Sequence, residues 1–230
     1  GLLWGRWFDT GGALSRWRAW RILPGRRGST GLVLILLWWF SLLNPSSYLF
    51  ANGDLHPLLG AIDSNYPLTG NGFLRVETAL ASANLLAVGL FARRVMKHPS
   101  LLQVTLALLV GLAVKSLASW VFLFPHQALH WATPGGLRGL AIGSALLLLC
   151  WHLPARLRHA LASLALLAAT ALVNMAPDNP YWDAATRLNH EGHVLNFHGA
   201  TQLMACLWPF LTLLWLALSG PLQRLPEETE

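Results

Sequence analysis

Long apolar runs separated by short polar stretches make up most of this chain. Six of them, at residues 29–43, 73–91, 101–124, 136–153, 157–175 and 194–218, are continuous or nearly so, as in Leu32-Val33-Leu34-Ile35-Leu36-Leu37-Trp38-Trp39-Phe40. Crossing a bilayer takes about 20 mostly apolar residues, because a helix rises ~1.5 Å per residue through a ~30 Å hydrocarbon core. The pattern predicts an all-α, polytopic membrane protein of about six transmembrane helices. The first run is short. Arg27 reaching back to the headgroups, or a helix continuing past Pro45, makes up its length.

Composition sharpens this picture. The 230 residues are 54% hydrophobic and 11% charged, where a soluble domain carries about 25% charged residues. That excludes a water-soluble globule, a disordered tail and a nucleic-acid-binding domain. The formal net charge of +6 is a topology signal here, since twelve of the 16 basic residues lie in alternate connections. They are Arg6, Arg16, Arg18, Arg21, Arg26 and Arg27, then Arg93, Arg94 and Lys97, then Arg156 and Arg158, and finally Arg224. The other connections, 44–72, 125–135 and 176–193, hold Arg187 alone against Asp54, Asp63, Asp178, Asp183 and Glu191. By the positive-inside rule both ends of the chain are expected on the cytoplasmic side.

Three regions follow. Residues 1–28 form a basic, Trp/Arg-rich cytoplasmic segment, residues 29–218 the six-span membrane domain, and residues 219–230 a cytoplasmic tail. In the first, Leu14, Trp17, Trp20 and Leu23 recur every third position with Arg16, Arg18 and Arg21 between them. That suits either an amphipathic helix on the inner leaflet or a basic linker that enforces topology. Short interfacial helices are expected near 55–62 and around Trp182, Ala185 and Leu188. The opening Gly1-Leu2-Leu3-Trp4-Gly5-Arg6 has no basic segment leading into an apolar one. It reads as the end of an earlier membrane helix, so an upstream part is expected.

Ionisable residues within spans are costly and mark candidate sites. Arg75 and Glu77 lie near the outer end of the second span, with Asn84 deeper on Glu77's face. Lys115 lies in the third span, Arg138 at the start of the fourth, Asn174 at the end of the fifth, and Asn196, His198 and Gln202 at the start of the sixth. Their depths coincide, so a Lys115–Glu77 pair is expected, with backbone carbonyls as alternative partners for Lys115. Arg75, Glu77, Lys115, Arg138, Asn196, His198 and Gln202 are the candidate ligand-binding residues. If they line one outward-opening cavity, its net positive charge suits an anionic headgroup, a phosphate or a carboxylate. If they do not, they are interhelical glue worth about 0.6–2 kcal/mol each.

No catalytic residue, metal site or cofactor is assigned. Nucleophile-elbow, P-loop and dinucleotide-binding motifs are missing, and His190-Glu191-Gly192-His193 is one residue short of zinc-protease spacing. Cys150 and Cys206 lie in apolar runs and read as buried thiols. Gly139-Leu140-Ala141-Ile142-Gly143 permits close packing of the fourth span against a neighbour.

Two stretches carry a family resemblance. One is Leu36-Leu37-Trp38-Trp39-Phe40-Ser41-Leu42-Leu43-Asn44-Pro45, continuing to Phe50-Ala51-Asn52-Gly53-Asp54-Leu55. The other is Asn179-Pro180-Tyr181, Gly192 and Leu195-Asn196-Phe197-His198-Gly199, ending Leu207-Trp208-Pro209-Phe210. Both resemble the C-terminal membrane portion of the longer bacterial VanZ-like proteins, a family named for a membrane protein linked to teicoplanin resistance. The start of that family's core domain is not found in this chain, so none of its core residues are carried over. The resemblance implies an inner-membrane, cell-envelope role. The expected function is non-enzymatic binding of an anionic envelope lipid or glycopeptide from the periplasmic side, with membrane lipids as partners and no nucleic acid. The alternatives are a transporter or channel subunit, and an intramembrane enzyme acting on lipid headgroups with Glu77 or His198 as base.

Overall fold

The computed structural model describes residues 16, 18, 20–44, 47–56, 70–122, 128–176 and 195–220. Among them are six helices and no strand: α1 (Gly25–Ser41), α2 (Gly70–Val95), α3 (Leu101–Phe122), α4 (Pro134–Cys150), α5 (Ala155–Met175) and α6 (Leu195–Ser219). Each matches one of the six apolar runs. Four helices, α2, α3, α5 and α6, are long and apolar enough to cross a membrane, two fewer than the six expected. The other two, α1 and α4, have 17 residues each, about 26 Å of helix. The shortfall at α4 comes from its ends: Pro134 starts the helix, and Trp151 to Pro154 turn the chain into α5. The predicted interfacial helices near 55–62 and 182–188, and the tail, lie mostly outside the described residues.

The bundle is sided in the way a bilayer demands. Large apolar side chains stay exposed on its periphery, among them Leu102, Leu149, Leu164 and Leu218, where acyl chains would cover them. Inside, small residues let helices approach. The GxxxG pair of α4 continues back to Gly135, and this stripe lies on α2. A methyl group at Gly139 would meet the Thr78 carbonyl at 2.8 Å, and one at Gly143 would meet Leu85 at 3.0 Å. One turn beyond Gly143, Leu147 lies on Gly89 of α2, where an added methyl group would meet it at 2.7 Å. As a result α2 is the most enclosed span, packed on both α4 and α5.

A second pairing joins the first and last helices. The indole N–H of Trp208 donates to the Leu34 carbonyl at 2.7 Å, and that of Trp215 to the Arg27 carbonyl at 3.1 Å. Phe91 of α2 meets both rings edge-on, with centroids 6.1 and 5.3 Å away. At the arginine-rich end, residues 21–23 lie antiparallel to residues 95–97, with Leu23 N–H on Val95 at 3.1 Å and Lys97 N–H on Arg21 at 2.8 Å. Residues 16, 18, 20 and 21 are helical and Trp20 is exposed, as an amphipathic segment requires; Leu14 and Trp17 lie outside the described residues.

Candidate functional site

The polar residues of the membrane-embedded sequence gather at the end opposite the arginines, around a connection that does not stay on the surface. Residues 48–54 descend into the bundle. Phe50, Ala51 and Asn52 are buried, and Phe50 packs on Trp38 with ring centroids 5.3 Å apart. Loops avoid such positions because their backbone groups need partners. Here the partners are supplied by three helices.

The first is α3. Lys115 is 2% exposed. Its ammonium donates to the Asn44 carbonyl at 2.7 Å, the Ser47 carbonyl at 2.8 Å and the Ser47 hydroxyl at 2.8 Å. This fixes the start of the connection at the C-terminus of α1, where unpaired carbonyls favour a cation. The expected capping of Lys115 by backbone carbonyls is found. The expected pairing with Glu77 is not.

The second is α5. Asn174 donates to the Gly53 carbonyl at 2.7 Å and accepts from the Leu55 N–H at 2.9 Å. One side-chain amide thus copies the hydrogen bonding of a strand neighbour. The third is α6. Proline at 209 has no N–H to offer the Ala205 carbonyl four residues earlier, and Gly53 N–H takes that carbonyl at 2.8 Å. Beside it the Cys206 thiol donates to the Asp54 carbonyl at 2.7 Å. Gly53 itself has φ +90°, and a methyl there would meet Thr170 at 2.9 Å and Pro209 at 3.0 Å. Phe50 also has positive φ, 61°, at a cost of roughly 1–2 kcal/mol for a residue with a Cβ. Backbone strain of this kind persists where surrounding contacts over-determine it.

Glu77 has a different task. Its carboxylate accepts from the Thr133 hydroxyl and the Gly135 N–H. Thr133 caps α4 by accepting from Gly136 N–H at 3.0 Å, and Pro134 follows at the first helical position. Glu77 therefore completes the N-terminal cap of α4 from α2, at the positive end of the α4 dipole.

Two further candidates, Arg75 and Arg138, do not converge with these two. Arg75 is exposed, since a residue two before Glu77 lies roughly 200° away around a helix. Arg138 is exposed as well, roughly 100° from Gly139, whose face lies on α2. Gln202 is half-buried. Asn196 and His198 lie on the first turn of α6, but their side chains are outside the described residues. Of the residues expected to line one cavity, two cations, Arg75 and Arg138, face outward instead, while Lys115 and Glu77 hold backbone. The residues sequence reasoning passed over are Gly53, Thr133 and Pro209. Their signals were present as the Asn52-Gly53-Asp54 turn, a threonine before proline, and a proline inside an apolar run.

One further pair sits at this end. The His56 ring nitrogen Nδ1 lies 2.8 Å from the Asp54 carboxylate, which also accepts from the His56 N–H at 3.0 Å. The side chains are part-exposed.

Compared with known proteins, the chain matches no family model, no curated protein and no solved structure.

Proposed function

We propose that this chain is a VanZ-like protein that crosses the bacterial inner membrane six times and binds an anionic envelope lipid or glycopeptide at its periplasmic end, without converting it. The observation that carries this reading is the division of labour among the charges. Lys115 and Glu77 are buried and committed to capping backbone. Arg75 and Arg138 are exposed near the starts of two helices that pack together, with no hydrogen bond or ion pair among the described residues. Exposed guanidinium groups at headgroup depth suit a phosphate or carboxylate, which they bind in a fork. The descending connection fills the middle of this end with backbone and the Phe50 ring, which disfavours a conduit. As spans, α1 and α4 rely on flanking Arg27 and Trp151 to meet the interfaces.

Arg75→Gln and Arg138→Gln test the reading. Each is expected to weaken capture of labelled teicoplanin or of dioctanoyl phosphatidylglycerol about tenfold, with an unchanged melting temperature in detergent. Unchanged capture by the double variant rejects it.

A second reading, an enzyme acting on lipid headgroups, draws support from the His56–Asp54 pair, which orients an imidazole as an acid–base catalyst requires. It takes His56 as the base in place of the two expected, Glu77, which caps α4, and His198.

A further inference from the structure

The arginine-rich end contains a cavity of about 120 Å³, enclosed by the end of α2, the connection to α3, the start of α5 and the end of α6. At ~30 Å³ per water that is room for about four waters, or for one tetrahedral phosphate. Arg93, Arg94, Lys97, Arg158 and His159 form its polar wall, and Leu90 and Leu216 are part of its apolar wall. No carboxylate of the described residues lines it. Among the described residues the carboxylates are Asp54 and Glu77, both at the other end of the bundle.

The cations are held in place individually. Arg93 lies over the Trp151 ring with its guanidinium carbon 4.0 Å from the centroid. Arg94 donates to the carbonyls of Gly220 and, at 3.4 Å, of Ser219. Arg158 donates to the Leu153 carbonyl. Yet buried polar atoms are left over, two of them guanidinium donors. Arg93 Nη1, Arg94 Nε and His159 Nδ1 are buried without a hydrogen-bond partner. Arg158 lies close enough to Arg93 and Arg94 for their charges to repel. The N-terminus of α5 adds to the positive potential, since Pro154 offers no side-chain cap. Crowded cations with spare donors and no counter-charge are an incomplete arrangement, and buried polar groups ordinarily find partners.

We infer that this cavity is a binding site for a phosphate group, taken either from an anionic phospholipid headgroup of the adjoining leaflet or from free phosphate. Guanidinium groups bind phosphate through paired, charge-assisted hydrogen bonds, and such bonds strengthen away from bulk water. The apolar wall beside the cations gives a glycerophospholipid a place for its first acyl carbons. This site is separate from the one proposed for the opposite end and does not depend on it.

Native mass spectrometry of the detergent-purified protein tests the inference, in wild type and in the Arg75→Gln/Arg138→Gln background that removes the other proposed site. Dioctanoyl phosphatidylglycerol is expected to bind at least tenfold more tightly than dioctanoyl phosphatidylcholine in both. In the Arg75→Gln/Arg138→Gln background, Arg94→Gln/Arg158→Gln is expected to abolish that preference. Lys97→Gln, at an exposed position that does not anchor a helix end, is expected to reduce it about threefold and covers the case in which the double variant fails to fold. Arg156→Gln removes the same charge from the same end of α5 at an exposed position outside the cavity and is expected to change nothing. Competition by inorganic phosphate at concentrations comparable to the lipid identifies free phosphate as the source; competition only at far higher concentrations identifies the headgroup. Equal binding of the two lipids overturns the inference, as does a preference that Lys97→Gln leaves intact or that Arg156→Gln removes equally. A preference that emerges only after Glu227, Glu228 and Glu230 are changed to Gln also overturns it, because the chain's own acidic tail is then the occupant.

Discussion

Methionine at position 115 retains the length and most of the volume of the lysine but none of its donors. Lys115→Met would leave the Asn44 and Ser47 carbonyls without the ammonium that now holds them. An orphaned buried acceptor costs about 1–3 kcal/mol, reduced somewhat where the unfolded state remains in the membrane. A loss of about 2–4 kcal/mol is expected, read as a lower midpoint in denaturing-detergent titration. An unchanged midpoint would show that the descending connection is held without Lys115. The depth of Lys115 and its inward direction were legible in the sequence, because a lysine inside an apolar run has few places to go. Its partners were not. They are backbone carbonyls, which every residue carries and no residue type announces. Glu77 was misread for the same reason: its role as a cap depends on Thr133 and Gly135 lying beside it, 56 residues away for the threonine.

Among the elements, the glycine stripe of α4 sets how closely the most enclosed helix can be approached. Gly139→Val places a Cβ 2.8 Å from the Thr78 carbonyl oxygen and closer still to the Ala81 methyl, with two further methyl groups to accommodate. Overpacking of this kind costs roughly 1–3 kcal/mol, occasionally more, and a helix pair has little room to shift when α5 packs on α2 as well. A clear drop in melting temperature is expected for Gly139→Val, and almost none for Leu149→Val, which sits on the exposed side of the same helix. Equal effects would place the stripe elsewhere than at a helix contact. The sequence made each of the six helices legible, because apolar runs and proline boundaries are local features. It announced that α4 would pack closely but not that α2 was the neighbour, and helix length at α1 and α4 was set by turns rather than by where hydrophobicity fades.

For the molecule as a whole, sidedness is the property that decides how every site is reached. Twelve of 16 basic residues in alternate connections predict those connections to face the cytoplasm. Leu58→Cys or Ala185→Cys is expected to react with an impermeant maleimide in cells whose outer membrane alone is permeabilised. His152→Cys, in a Cys150→Ser background, is expected to react only once the inner membrane is opened. The reverse pattern would invert the bundle and exchange the leaflets to which the two proposed sites belong. Charge asymmetry made this orientation legible from sequence, since it is a property of connections. The arginine cavity was not legible, because it requires the ends of α2, α5 and α6 to meet.

Pro209 has a consequence for how the protein is made. The Ala205 carbonyl it frees receives a hydrogen from Gly53, a residue that leaves the ribosome some 150 residues earlier. Until α6 emerges, neither that acceptor nor the Cys206 thiol exists, and Asn174 has only just been added. While α1 to α4 are being made, the connection is therefore held only at its start, by Lys115 of α3, and residues 53 and 54 still lack the partners that α5 and α6 supply. Helix α6 thus closes a connection made well before it, and residues 53 and 54 gain their full set of partners only once α6 is in place.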